Sequence, residues 1–288
     1  MRLLVTGAAG MLGQDTTRAA ERAQHTVLAL ARADLDVTDA GAVERLIGAE
    51  RPDAVLNCAG YTDVDGAEGD PETAEAVNGE GAGNVARAAA RAGAYVLHVS
   101  SDYVFDGHKD EPYLEEDPVG PLSAYGRSKL SGERAVAAAG GQWAIVRSSW
   151  LYGSGGPNFV ATMLRLAGER DTLRVVADQV GCPTWTGHLG GALVDLAELK
   201  SEGIHHVAGT GSCSWHEFAV EIFRQAGAVC RVETQTTADL ARPAPRPAWS
   251  VLASRRPDTP RLPGWQEGLA GYLAERAEQP AAAGGRPA

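Results

Sequence analysis

Arg2-Leu-Leu-Val-Thr-Gly7-Ala-Ala-Gly10-Met-Leu-Gly13 opens the chain and decides its fold. The apolar run Arg2–Thr6 reads as a short strand. It enters a G-x-x-G-x-x-G turn, and an Ala-rich helix follows. Glycines at these positions permit a tight turn, let backbone approach a pyrophosphate and let helix pack closely on strand. The free N–H groups at the start of such a helix then face the phosphates. The turn through Gly7, Gly10, Met11, Leu12 and Gly13 is therefore a candidate dinucleotide site.

Outward from this turn, short apolar strands alternate with amphipathic helices. Strands are expected at Thr26–Ala31, Asp53–Asn57, Tyr95–Val99 and Trp143–Arg147. A helix is expected from about Thr38 to Glu50. A long one begins at Asp70-Pro71, where Asp suits the N-cap and Pro the first helical position. Such alternation predicts an α/β fold: a Rossmann-type, doubly wound parallel sheet covered on both faces. After about residue 150 the loops lengthen. A strand at Ile204–Ala208 rejoins the sheet, Ser214-Trp-His-Glu217 is a capping box, and the Arg/Pro-rich segment 240–264 is extended. The expected organisation is a dinucleotide-binding domain over 1–150, a smaller C-terminal substrate-binding lobe over 151–275, and a disordered tail at 278–288.

The chain has 288 residues, 44% apolar, enough for a sizeable core. A net charge of −11 with no Lys/Arg cluster disfavours a nucleic-acid partner. No apolar run reaches the ~20 residues of a membrane helix. The four cysteines, at 58, 182, 213 and 230, form no C-x-x-C pair and read as reduced thiols. With no signal-peptide pattern, a cytoplasmic location is expected.

The end of the second strand bears on cofactor choice. An acidic side chain there would hold ribose hydroxyls, whereas the chain reads Leu30-Ala31-Arg32. Arg32 can face a 2′-phosphate, which favours NADPH, with NADH possible because acidic residues follow closely. Asp36-Val37 is the candidate contact for the adenine region, and Ala59-Gly60-Tyr61 lines the nicotinamide side.

Ser100-Ser101-Asp102-Tyr103 follows the fourth strand, at the sheet end where α/β proteins place ligands. About two dozen residues later comes Tyr125-Gly-Arg-Ser-Lys129. Spacing i, i+4 puts Tyr125 and Lys129 on one helix face. A free tyrosine has a pKa near ~10, and a nearby ammonium favours the phenolate. The expectation is that Ser101 orients a carbonyl oxygen and Tyr125 protonates it. Lys129 lowers the Tyr125 pKa and holds the nicotinamide ribose. The chemistry is hydride transfer to a carbonyl carbon.

These residues resemble the extended short-chain dehydrogenase/reductase family. Ser100–Gly107, Ser148-Ser-Trp-Leu-Tyr-Gly153, Asp178-Gln-Val-Gly-Cys-Pro-Thr184, His206-Val-Ala-Gly209 and Arg246-Pro-x-x-Ser250-Val-Leu252 are similar to its dTDP-4-dehydrorhamnose reductase branch. The resemblance implies reduction of the C4 keto group of dTDP-4-dehydro-6-deoxy-L-mannose, giving dTDP-L-rhamnose or a related deoxysugar. It implies catalytic roles for Ser101, Tyr125 and Lys129. It also implies substrate contacts at Ser101, Asp102, Trp150, Asn158, Arg165, Gln179 and Arg246. Some members bind Mg²⁺ between subunits. Asp15 matches one such position but Gly187 stands where a second carboxylate is expected, so no metal ligand is assigned and the Mg²⁺ requirement stays open. A homodimer is compatible. The alternatives are a sugar-nucleotide epimerase or dehydratase of the same superfamily, and a non-catalytic subunit resembling the regulatory subunit of methionine adenosyltransferase. Dehydration is disfavoured because Tyr103, not a second carboxylate, follows Asp102.

Overall fold

The structure is a computed structural model that describes residues 1–278. The first half builds β1 (Arg2–Thr6), α1 (Met11–Arg22), β2 (Thr26–Leu30), α2 (Ala40–Glu50) and β3 (Ala54–Asn57). Two short helices follow, α3 (Gly66–Gly69) and α4 (Pro71–Glu75), then a π-helical turn over Ala76–Gly81 and α5 (Ala82–Ala92). Next come β4 (Tyr95–Ser101), a 3₁₀ turn over Asp102–Val104, α6 (Ala124–Ala138) and β5 (Trp143–Ser148). The second half holds β6 (Leu151–Tyr152), α7 (Phe159–Ala167), β7 (Thr172–Val176), β8 (Val180–Gly181) and β9 (Thr184–Trp185). It closes with α8 (Thr186–Leu199), β10 (Gly203–His206), β11 (Cys213–Ser214), α9 (Trp215–Ala226), β12 (Arg231–Gln235), α10 (Thr237–Leu240) and α11 (Trp265–Glu278).

Six strands form one sheet in the order β10-β5-β4-β3-β1-β2, every pair parallel. The order reverses direction between β1 and β3, and ligands of such sheets sit beyond the carboxyl ends at that reversal. Side-chain alternation along each strand feeds two cores. Leu3, Val5, Leu56 and Leu97 face one way, onto Leu189 and Leu193 of α8. Leu4, Val55 and Val96 face the other, onto Val43 and Ile47 of α2, Val85 and Ala89 of α5 and Val136 of α6. Burying each such Leu or Val side chain stabilises by roughly 1.5–3 kcal/mol. At the reversal, Thr6 Oγ1 donates to Asn57 Oδ1 (2.6 Å) and Asn57 Nδ2 donates to His98 Nδ1 (3.1 Å), a buried polar bridge across β1, β3 and β4.

A third core lies outside the sheet. Tyr152, Val160, Met163, Leu173, Phe218, Ile222, Trp265 and Leu269 pack around α7, α9 and α11 beside the parallel β7–β12 ribbon. Among these elements α8 and β10 return to the sheet.

Local differences from the sequence expectations have local causes. β2 stops at Leu30 because the Ala31 N–H donates to Asp34 Oδ2 (2.9 Å). β3 begins at Ala54, with the Asp53 carboxylate accepting from Arg2 N (2.7 Å). α2 starts at Ala40 because Asp39 caps it through Ala42 N (2.9 Å). β4 runs on to Ser101 and β5 to Ser148, since their pairing continues to that point. The late strand is Gly203–His206, set by its register on Ala144–Arg147. Asp70 caps α4 with Pro71 next, as expected, but the helix it begins is interrupted by the π-helical turn. The capping box at Ser214 and Glu217 is present. Of the expected tail, Glu278 ends α11, and 279–288 lie outside the described residues.

Candidate active site

The glycine turn is held by backbone contacts that leave no room for side chains. Gly7 has φ +64°, and a Cβ there would stand 2.7 Å from Ala59 N. A Cβ on Gly13 would strike the Gly7 carbonyl. This approach fastens the β1 turn to the loop after β3, and α1 to both. Gly10, the N-cap of α1, provides no side-chain cap, so the first turn of α1 keeps backbone donors for an anion. Leu12 puts its side chain into the sheet core and offers the turn only its backbone. Met11 leans on the loop before α7, where a Cβ on Gly156 would come within 2.8 Å of its Cγ. These features fit a dinucleotide.

At the end of β2, the acidic groups are engaged with their own backbone. Asp34 accepts from Ala31 N, and Asp36 accepts from Thr38 N (3.0 Å) and Thr38 Oγ1 (2.8 Å), which hold its carboxyl below the usual range. Arg32 is 82% exposed and only loosely paired with Asp36 at 3.8 Å. This exposed, loosely paired cation beside engaged carboxylates suits a 2′-phosphate. Val37 is buried against Gly81, with its carbonyl accepting from Asn84 Nδ2 (3.0 Å), so any contact it makes there runs through the neighbouring backbone.

The π-helical turn positions the next loop. It aims Asn78 so that Oδ1 accepts from Tyr61 N (2.9 Å), while Nδ2 donates to Tyr61 O (3.1 Å) and to Ser128 Oγ (2.9 Å). Ser128 in turn donates to the Tyr125 carbonyl (2.8 Å). One buried amide thus ties Ala59-Gly60-Tyr61 to the helix carrying Tyr125. No motif flags Asn78 in the sequence.

Ser101, Tyr125 and Lys129 come together beside this loop. α6 begins at Ala124, capped by Ser123 through Gly126 N (3.0 Å), which places Tyr125 in its first turn and Lys129 one turn on. The Tyr125 phenol lies beside Ser101, which acts on its protonation, and packs edge-on against Tyr103, with ring centroids 5.5 Å apart. The Lys129 ammonium donates to the Val99 carbonyl (2.7 Å) and would stand 3.9 Å from a Cβ on Gly60. Burial pulls it down to about 8, against the carboxylate of Glu133. Glu133 itself is locked by Arg147 at 2.7 and 2.9 Å and by Ser100 at 2.6 Å.

The expected lowering of the Tyr125 pKa is not what this arrangement produces. Burial pushes the phenol up to about 12, with the Asp102 charge adding to the rise and the Ser101 hydroxyl opposing it. Removing a group from water disfavours its charged form. With the Lys129 ammonium turned onto a carbonyl, dryness wins and Tyr125 keeps its proton.

The expected substrate contacts divide. Trp150 lies next to Ser149, at φ +47°, and stacks on Trp215 at 3.5 Å. Arg246 grips Asp65 with two bonds of 3.0 and 2.9 Å, while Arg242 adds a third at 2.9 Å. Burial raises the Asp65 carboxyl, but the bonds from Arg246, Arg242 and Ala244 N outweigh it and bring it down to about 2. Four other expected contacts have partners within the protein. Asp102 is 1% exposed and its oxygens are taken by serine hydroxyls. Asn158 caps α7 through Ala161 N (2.9 Å) and donates to the Gly153 carbonyl (2.8 Å). Gln179 is spent on Thr237 (2.9 Å) and the Trp215 indole (3.2 Å). Arg165 forms an exposed pair with Glu169 on α7. Polar type and motif membership did not reveal that packing uses these atoms.

Asp15, the position linked to Mg²⁺, is buried between Arg18 and the Thr186 hydroxyl. Its oxygens already have partners, and among the described residues no group of His, Cys, Asp and Glu side chains is arranged to hold a metal ion. No described helix is long and apolar enough to cross a membrane.

A family model described as the RmlD substrate binding domain matches residues 1–278. A dTDP-4-dehydrorhamnose reductase of Streptomyces griseus is 47% identical over 88% of this chain and 86% of its own. The solved dTDP-4-dehydrorhamnose reductase of Clostridium acetobutylicum has a TM-score of 0.93 at 40% identity, covering 96% of this chain and 100% of that one. That of Bacillus anthracis, solved in complex with NADP, has a TM-score of 0.93 at 38% identity, covering 95% and 99%.

Proposed function

The chain belongs to the family of the RmlD substrate binding domain, and we propose that it reduces the C4 keto group of dTDP-4-dehydro-6-deoxy-L-mannose with NADPH. The product is dTDP-L-rhamnose or a closely related deoxysugar. The observation that carries this reading is the meeting of Ser101, Tyr125 and Lys129 beside the Gly7–Ala59 cradle, at the carboxyl end of the sheet.

NADPH, when bound, supplies the hydride. The Gly7–Gly13 turn and the start of α1 hold its pyrophosphate, Arg32 its 2′-phosphate, and Ala59–Tyr61 the nicotinamide side. Lys129, moving from the Val99 carbonyl, takes the ribose hydroxyls. Tyr125 enters the reaction protonated, as reduction requires, and gives its proton to the carbonyl oxygen as that oxygen becomes negative. Ser101, in contact with the phenol, stands where the same oxygen must lie. Trp150 and Arg246 flank the sugar nucleotide. The sheet lobe takes the dinucleotide, and the lobe around the third core takes the substrate. In this division 186–206, though late in sequence, serve the sheet lobe. Dehydration would need a carboxyl pair at the sugar, and Asp102 is withdrawn behind Ser101. The reading places the protein in the cytoplasm. It is compatible with a homodimer, measurable by light scattering.

The test is incubation with the keto sugar nucleotide and NADPH or NADH, following the reduced nicotinamide and identifying the product by NMR. Consumption of NADPH in preference to NADH is expected. Tyr125→Phe should lower kcat by roughly 10²–10⁴, the loss of a general acid, while NADPH binding stays within about twofold. No consumption of either cofactor overturns the reading.

A further inference from the structure

Asp102 sits directly behind the proposed catalytic hydroxyl, in a nest of three serines. Its Oδ1 accepts from Ser101 Oγ (2.9 Å), its Oδ2 accepts from Ser149 Oγ (3.1 Å), and the Ser250 hydroxyl beside them favours the charged carboxylate. The carboxylate and all three serines are at most 7% exposed. The hydroxyls come from three separate stretches: the end of β4, the residue after β5, and the strap beyond Arg246. The strap is held in place by Ser250 N donating to the Val180 carbonyl (2.8 Å), and Ser149 by Cys182 N at 3.3 Å. The titratable groups facing Asp102 are Tyr103 from the 3₁₀ turn, Tyr125 from α6 and Cys182 from the segment between β8 and β9.

Hydrogen counting makes this nest consequential. A serine hydroxyl has one proton, and an ionised carboxylate only accepts. The Ser101 proton is therefore committed to Asp102, and its oxygen accepts from Tyr103 N (3.2 Å). In that state Ser101 has no proton to offer a carbonyl. During reduction the Tyr125 O–H bond breaks and the substrate O–H bond forms, leaving negative charge on the phenol oxygen where the proton had been. A hydrogen bond formed only as charge develops lowers the barrier instead of merely tightening binding.

We propose that Asp102 is a positioning residue that holds the Ser101 proton between turnovers and releases it toward the oxygen that becomes negative. No proton changes owner in this motion; the hydroxyl rotates. After release Ser149 still donates to Asp102 Oδ2, so the carboxylate keeps a partner. The inference rests on the reading that Ser101 and Tyr125 act on the carbonyl. Burial also raises the Asp102 carboxyl to about 6, against its three hydroxyl partners. A protonated Asp102 holds the Ser101 hydroxyl more weakly, so the device weakens on the acid side.

Wild-type turnover of the keto sugar nucleotide with NADPH is the reference rate and by itself tests the functional reading. Against it, Asp102→Asn should lower kcat roughly 10–100-fold with the Kd for NADPH unchanged. The wild-type fall in kcat as pH drops through about 6 should be absent in this variant. Placed in a Ser101→Ala background, the same substitution should have less than about a threefold effect, because it acts through Ser101. Ser149→Ala and Ser250→Ala keep the charge but remove a hydroxyl, so each should lower kcat several-fold and move the acid limb to higher pH. These two variants carry the test if Asp102→Asn does not fold. Full activity with an unmoved acid limb in the nest variants, or an undiminished Asp102→Asn effect without the Ser101 hydroxyl, overturns the proposal.

Discussion

Tyr125 and Lys129 illustrate how far residue spacing carries and where it stops. Their i, i+4 separation fixed the shared helix face before any coordinates, and so did the position of Ser101 after a strand. The direction of the Tyr125 shift depended on something spacing does not encode: how dry the phenol is and where the ammonium points. The Lys129 ammonium, pulled down to about 8 by burial, gives a testable pH effect. Below that value the charged lysine binds ribose hydroxyls, and above it the charge is lost. The kcat/KM of the wild type should therefore fall as pH rises through about 8. Lys129→Met should lower kcat/KM and leave a residual rate without that alkaline limb, measured by initial-rate pH profiles. Asp102, Asn158 and Gln179 show the converse. Asp102 and Gln179 lie in recognisable motifs and Asn158 is an expected substrate contact, yet each spends its polar atoms inside the protein.

At the scale of elements, strands and helices were legible because hydrophobic period and capping residues agree along most of the chain. Asp70-Pro71 and Ser214-Glu217 begin helices where their chemistry says they should. The π-helical turn was not legible, since an extra residue per turn leaves no mark in composition. Such turns often sit at functional sites. This one lets α6 come so close that a Cβ on Gly132 would run into the Asn78 carbonyl. Gly132→Ala should thus destabilise by about 1–3 kcal/mol, the usual cost of overpacking, seen as a lower Tm. Because the shifted Asn78 also holds Tyr61, the KM for NADPH should rise in the same variant. A rise in Tm would contradict the close crossing.

For the molecule as a whole, the late strap is tied to the early chain at Asp65, gripped by Arg242 and Arg246. The exposed Arg242 arm stabilises by at most about 1 kcal/mol. Because the folded carboxyl lies near 2, below an unfolded value near ~3.9, its contribution is fully present above the latter and lost as pH falls through the former. Asp65→Ala should leave the sheet intact, speed hydrogen exchange several-fold at the Ala244 amide, which donates to Asp65 Oδ1 (3.2 Å), and raise the KM for the sugar nucleotide. Unchanged exchange would show that the strap is held elsewhere. The loose pattern after residue 150 gave no warning of this tie, because its partners lie 177 and 181 positions apart in the chain.

The sheet's last strand has a consequence for biosynthesis. β10 is laid against β5 only after the chain has travelled through α7, the β7 strand of the outlying ribbon and α8. A ribosome that has just released residue 150 has therefore delivered a sheet with one raw edge and one face covered by α1 alone. Leu189, Leu193 and Leu196, which cover that face, are still unmade. A chain stalled near its midpoint would leave exposed the apolar surface that α8 buries.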